Sequence, residues 1–273
     1  MLQQTADAAP AEDQAGEARR RRSAAALGPA VARICGALGH GDLIFVACSE
    51  QRAEAMAAAV QALSDALVLW CPPHDAFPGE DAPSSPAVAG RRVAALSALH
   101  ERGERPVLLV TDAAAAAQKL AAPAAFKGLQ RIVEPGQEIE GEALAGELEA
   151  FGYFRDDRVD EPGEMAIRGG AIDLFPADAE KPVRIHLEGG RVERISAYDP
   201  VSQLGSHEQI ERLIIRPAIE PAPGADAVTI FDHLAGAVVA LDPEAEDRRD
   251  RFIELVEEAA ARKGKAALAG DAA

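Results

Sequence analysis

The residues of this chain that could do chemistry are six histidines, three cysteines and a few acids at the ends of apolar runs. His40, His74, His100, His186, His207 and His233 are scattered. No two stand four apart, the spacing that sets two imidazoles on one helix face for a metal. Cys35, Cys48 and Cys71 have no CxxC spacing and cannot all pair with one another. They read as free thiols of a reducing cytoplasm. A phosphate loop needs Gly-x-x-x-x-Gly-Lys followed by Ser or Thr, so that backbone N–H groups wrap the phosphates, the Lys neutralises them and the hydroxyl holds Mg²⁺. The turn Leu38-Gly39-His40-Gly41-Asp42 has neither the Lys nor the hydroxyl, and Gly264-Lys265 lacks the rest. No GxGxxG or GxSxG occurs. Leu241-Asp242-Pro243-Glu244 has the strand-then-acid shape of a magnesium site. Without a phosphate loop, Asp242 reads as a helix cap rather than a metal ligand. His74-Asp75 is either a dyad or, as the favoured reading, a turn stabilised by Asp75. The expectation is a chain without metal, cofactor or catalytic residues, not an enzyme.

The elements that position these residues follow from periodicity. Leu43–Cys48, Ala66–Trp70 and Val107–Val110 are continuous apolar runs, as expected of strands covered on both faces. Helices alternate with them: Glu50–Leu63 behind the N-cap candidate Ser49, Ala87–His100, and an Ala-rich helix opened by Thr111-Asp112. This predicts a parallel, doubly wound sheet of degenerate P-loop type. Between residues 136 and 220 the period shortens. Met165–Arg168, Ala171–Phe175, Val183–Leu187 and Val192–Ile195 read as strands, with Gly169-Gly170 and Gly189-Gly190 as hairpin turns in which both residues need positive φ. After Pro221-Ala222-Pro223-Gly224 the α/β pattern returns. Thr229 caps a short helix, Ala237–Leu241 is a strand, and Pro243 sits in the first turn of a charged helix to about Arg262. The expected organisation is therefore an α/β domain at 28–135 and 221–262, interrupted by a small antiparallel α+β module at 136–220. Disordered tails are expected at 1–27 and 263–273.

Charge narrows the function further. Lys+Arg is 28 and Asp+Glu is 45, for a formal net charge of −17. A surface this acidic repels polyphosphate at long range and argues against strong DNA binding by the chain alone. Arg19-Arg20-Arg21-Arg22 ends a polar stretch and reads as part of a solvated tail. No apolar run reaches the ~18 residues a membrane helix needs. Residues 151–220 hold nine basic and fourteen acidic residues, a mixture suited to a polar protein–protein surface. Arg168 and Arg184 lie in the strands flanking Ala171–Phe175. Composition reads them as solvated strand residues paired with Glu164, Asp173 or Glu188.

The stretch Gly152-Tyr153-Phe154-Arg155, then Glu161-Pro162-Gly163-Glu164-Met165-Ala166-Ile167-Arg168-Gly169-Gly170-Ala171-Ile172-Asp173-Leu174-Phe175-Pro176, then Pro182-Val183-Arg184-Ile185 and Tyr198-Asp199-Pro200-Val201-Ser202-Gln203, closely resembles the UvrB-like module of bacterial transcription-repair coupling factors. Pro73–Pro78 and Thr229–Asp242 resemble that family's first domain more weakly. The resemblance implies a cytoplasmic, non-catalytic adaptor of nucleotide excision repair that binds UvrA. Arg168 and Arg184 fall on the family's partner-binding arginines, and Arg155 joins them as a candidate. Glu188 falls on the aromatic anchor position, which weakens, alters or abolishes the contact. Other repair or transcription proteins are further candidate partners. The polymerase-binding and motor domains of the family are not matched, and the expectation is the N-terminal module without them. Two alternatives stand beside the adaptor: a residual nucleotide-binding domain using Asp242, and a structural remnant with no UvrA contact.

Overall fold

Strands that are apolar at every position need cover on both faces, and this chain supplies it with helices. The computed structural model describes residues 20–22, 26–76 and 83–270. The chain begins with β1 (Arg20–Arg22), α1 (Leu27–Leu38), β2 (Leu43–Ala47), α2 (Glu50–Leu63), β3 (Leu67–Cys71), α3 (Pro86–Glu101), β4 (Val107–Asp112) and α4 (Ala113–Ala117). It continues through β5 (Arg131–Val133), α5 (Gly141–Ala150), β6 (Phe154–Arg155), β7 (Glu164–Arg168), β8 (Ala171–Leu174), β9 (Val183–Glu188), β10 (Arg191–Tyr198), β11 (Gly205–Gln209) and β12 (Leu213–Ile215). It closes with α6 (Ile230–His233), β13 (Val238–Leu241) and α7 (Ala245–Gly270).

The first sheet has the order β1-β13-β2-β4-β3, and every pairing is parallel. Ile44, Val46, Val107 and Leu109 face one core with Val93 and Leu96 of α3 and Ile230 of α6. Leu43, Phe45, Leu108 and Val110 face another with Val31 and Ile34 of α1 and Met56 and Val60 of α2. Ser49 accepts from Arg52 N at 3.3 Å and Asp112 from Ala115 N at 2.8 Å, so both helix starts are capped as the sequence indicates. The late strand β13 rejoins the sheet beside β2.

Several boundaries differ from the sequence reading. Residues 20–22 fall inside the span expected as a tail, yet their backbone adds β1 in parallel beside β13. Pro243 stands before α7 rather than within it, because Glu244 takes a left-handed φ of 69° and the helix starts at Ala245. That helix passes Arg262 and runs to Gly270, into the span expected as a second tail. Residues 1–19, 23–25, 77–82 and 271–273 lie outside the described residues, and with them Arg19 and the Phe77-Pro78 end of the Pro-rich loop.

The inserted module is a six-stranded sheet of order β11-β10-β9-β8-β7-β6, antiparallel except for β6 with β7. The fold is thus a parallel α/β domain interrupted by a small, mostly antiparallel β domain. Met165, Ile172, Leu174, Ile185, Val192 and Ile195 form one face and pack under Leu144, Ala145 and Leu148 of α5. The entry strand β5 and the exit strand β12 pair antiparallel, so the insertion is fastened where it leaves its host. Gly189 and Gly190 both have positive φ, 58° and 82°. In the other turn only Gly169 does, at 57°. Gly170 is crowded instead: a Cβ there would stand 3.1 Å from Leu187 O, so a side chain needs that backbone to give by a few tenths of an ångström.

Helix α3 holds the two domains together. A Cβ at Gly90 would stand 2.4 Å from Ala177 Cβ, so only glycine permits this approach. Two residues on, Arg92 is fully buried. It donates Nε to Glu220 Oε2 at 2.6 Å and its other nitrogens to Glu220 Oε1 at 3.3 Å and Pro72 O at 2.5 Å. His74 shares that carboxylate at 2.9 Å, while Asp75 accepts from Ser85 N at 2.9 Å. The His74-Asp75 dyad is therefore absent, and Asp75 stabilises its turn. Burial opposes the charge on Glu220, but His74 and Arg92 outweigh it and hold its carboxyl below the usual range. Replacing Arg92 with Met leaves that carboxylate buried without its main cation. Urea denaturation should show Arg92→Met losing about 3–5 kcal/mol, and Arg92→Met/Glu220→Gln recovering part of it. A loss below about 1 kcal/mol in the single variant would show that the pair does not hold the junction.

Candidate functional site

Alternation along β7 to β10 decides which side chains leave the core. Register pairs Ala166 with Asp173, Asp173 with Arg184, and Arg184 with Ser196, so these four form one row on the face away from α5. The next row is Arg168, Ala171, His186 and Arg194. A register shift between Val192 and Arg194 makes the second row possible. With Glu193 as the extra residue, Val192 and Ile195 both point into the core while Arg194 and Ser196 turn outward.

Asp173 is the hub of this face. It is 1% exposed and accepts a forked pair of bonds from Arg184, Nε to Oδ1 at 2.5 Å and a terminal nitrogen to Oδ2 at 2.8 Å. Arg168 Nε stands 3.6 Å from Oδ2, and a terminal nitrogen of Arg168 donates to the carbonyl of Asp157. The Arg184 guanidinium lies 5.0 Å from the centre of the Tyr198 ring, within cation–π range. Its bond to Asp173 raises its pKa further. Burial raises that of Tyr198, whose hydroxyl donates to Val159 O at 3.1 Å. The side chains of Arg168 and Arg184 remain 50% and 28% exposed, so both present donors outward while anchored to one buried acid.

One end of the face is covered. Val159 packs on Ala166 and Phe175, and Glu164 accepts from Asp160 N at 2.8 Å and Glu161 N at 2.7 Å. These contacts lay residues 156–163 over the sheet and leave the end with Arg168, His186 and Arg194 open.

The four sequence candidates therefore separate. Arg168 and Arg184 meet through Asp173, the partner that composition included among its alternatives. Arg155 stands on edge strand β6 and turns to α5, with ion pairs to Glu142 at 2.7 Å and Glu149 at 2.8 Å. It shares with Arg168 the lining of an open cavity of about 740 Å³. Glu188 ends β9, exposed, and by alternation falls on the same face as Arg184. His186, Arg194 and Tyr198 were not among the candidates. The signal for Tyr198 was its place in the Tyr198-Asp199-Pro200 run, and that for Arg194 was hidden by the bulge.

In the α/β domain Asp242 is engaged from α2 and from the end of β2. Its two oxygens accept from Arg52 Nε and a terminal nitrogen, both at 3.0 Å, and Cys48 N approaches at 3.5 Å. No cluster of three or more His, Cys, Asp or Glu that could hold a metal occurs among the described residues. No helix among them is long and apolar enough to cross a membrane.

A family model for the UvrB interaction domain matches residues 132–220, from the entry strand β5 to the Glu220 that closes on Arg92. Residues 132–220 are thus similar to the UvrB interaction domain. The chain is also 35% identical over 195 residues, a longer stretch than this segment, to the transcription-repair-coupling factor of Bacillus subtilis, covering 70% of this chain and 16% of that protein. It is 32% identical over 186 residues to that of Myxococcus xanthus, covering 66% and 15%. It is also 30% identical over 193 residues to the UvrABC system protein B of Idiomarina loihiensis, covering 69% and 27%. The similarity thus spans about a sixth of the coupling factors and about a quarter of the UvrABC protein.

The Asp173 hub of the inserted module generates a stability test. Asp173→Ala removes the acceptor of Arg184 and the counter-charge of Arg168 inside a sheet. Chemical denaturation should show a loss of about 3 kcal/mol. A loss under about 1 kcal/mol would mean that Arg184 and Arg168 reach water freely and that the hub does not order them.

Proposed function

We propose that this chain is a non-catalytic adaptor of nucleotide excision repair that binds UvrA through the outward face of its UvrB interaction domain. The observation that carries the reading is the sharing of Asp173 by Arg168 and Arg184. A guanidinium fixed at one edge by a buried carboxylate loses little freedom when its remaining donors meet a partner's carboxylates. Glu188 at the family's aromatic position makes this contact more polar, so affinity depends on charge and falls with salt. Titration of UvrA from the same organism by calorimetry tests it. Binding should weaken between low and physiological salt, and Arg168→Ala and Arg184→Ala should each cost about 1–3 kcal/mol. Thermal melts of both variants separate lost contact from lost fold. No heat at either salt, or wild-type affinity in both folded variants, would overturn the adaptor.

The non-catalytic part of the reading is supported by the Arg52–Asp242 pair. In a phosphate-binding sheet the acid at the end of such a strand is left to hold Mg²⁺, while a loop after another strand presents N–H groups and a Lys to the anion. Here the acid at the end of β13 is engaged by an arginine of α2. Labelled ATP at micromolar concentration should show no saturable binding. Binding abolished by Asp242→Ala would restore the nucleotide site.

A further inference from the structure

The row beside Asp173 carries Arg168 on β7, Ala171 on β8, His186 on β9 and Arg194 on β10, in direct register. Neighbouring strands lie about 4.8 Å apart, so the row spans about 14 Å. Ala171 offers only a methyl group, which leaves room beside the half-buried His186 ring. Arg184 and Glu188 flank it two residues away on β9. Arg194 and the bulged Glu193 approach from β10. Asp173 approaches from β8, and Arg168 continues the row on β7. Asp173 is already engaged by Arg184 and Arg168. Burial first, then Arg194 and Arg184, hold the His186 pKa below its ordinary value of 6.5. In the free chain the ring is therefore mostly neutral at neutral pH, a vacancy for positive charge inside a basic row.

We propose that His186 is a contact residue of this face and takes up a proton when an acidic partner surface settles over the row from Arg168 to Arg194. The identity of the partner rests on the UvrA reading; the chemistry of the row does not. Carboxylates laid over the row offset the repulsion from Arg184 and Arg194 and favour the imidazolium. The sign follows directly. The ring's pKa is lower in the free chain than in the complex, so binding consumes a proton in the window between the two values. Affinity then rises as pH falls through that window.

Two probes test this. In an NMR titration of the full chain, a decaglutamate peptide should raise the His186 midpoint by about half a unit or more. In calorimetry, affinity for UvrA should rise a few-fold, at most about sixfold, from pH 8 to pH 6, because a rise of up to one unit gives tenfold only below both midpoints. His186→Gln should flatten that rise while keeping the salt dependence, and heats in two buffers of different ionisation enthalpy should show proton uptake in wild type alone. An unmoved His186 midpoint with decaglutamate, or an equal pH slope in His186→Gln, overturns the proposal. A midpoint that moves with decaglutamate while UvrA fails to bind at any pH or salt upholds the titrating row and removes the adaptor reading.

Discussion

A carboxylate enclosed by a sheet stays charged only if cations stand against it, and Asp173 imposes that condition on the inserted module. Removing such an ion from water costs several kcal/mol, which a forked guanidinium and its hydrogen bonds must offset. Arg184 supplies the fork and Tyr198 lies beside it. Arg168 adds a second positive charge at longer range and reaches across to residue 157. The requirement therefore orders three strands and the loop over them. Two long, normally wandering arginines acquire fixed bases without losing their exposed ends.

The α/β domain answers the same electrostatic problem in the opposite way. Asp242 and Glu220 are also met by arginines, Arg52 and Arg92. There the guanidinium is turned inward: Arg92 is fully buried and Arg52 is 15% exposed. Such pairs fasten elements to one another, whereas the pairs on Asp173 leave donors facing out. The difference between a structural and a docking arginine in this chain is how much of the fork the buried acid consumes.

The architecture was legible because the strands of the first sheet are apolar throughout and the module's strands alternate between glycine turns. The site was legible in part, through Arg168, Arg184 and the motif around them. What escaped the sequence depends on distance along the chain. Asp242 meets Arg52 across 190 residues and Glu220 meets His74 across 146, and no local pattern announces either. The bulge at Glu193 reverses alternation within one strand, so parity counted along the sequence places Arg194 with Val192 rather than with His186. The edge strand β1 is all arginine, a composition that carries no strand signal. The hairpin rule also failed at Gly170, which has no left-handed backbone and is instead crowded by the Leu187 carbonyl.

The clasp of β5 with β12 brings Arg131 beside Ile215 and Leu213 beside Val133. The host domain thus sees the long excursion between them as little more than a surface loop with closed ends, and closing such a loop costs little extra as it lengthens. A segment that begins and ends at one place can be cut out, rejoined or set into another host without rewinding either sheet. The module is built as a portable part, and its tailored attachments to this host include the glycine contacts of Gly90 with Ala177 and Gly163 with Pro86 and the carboxylate of Glu220 under Arg92.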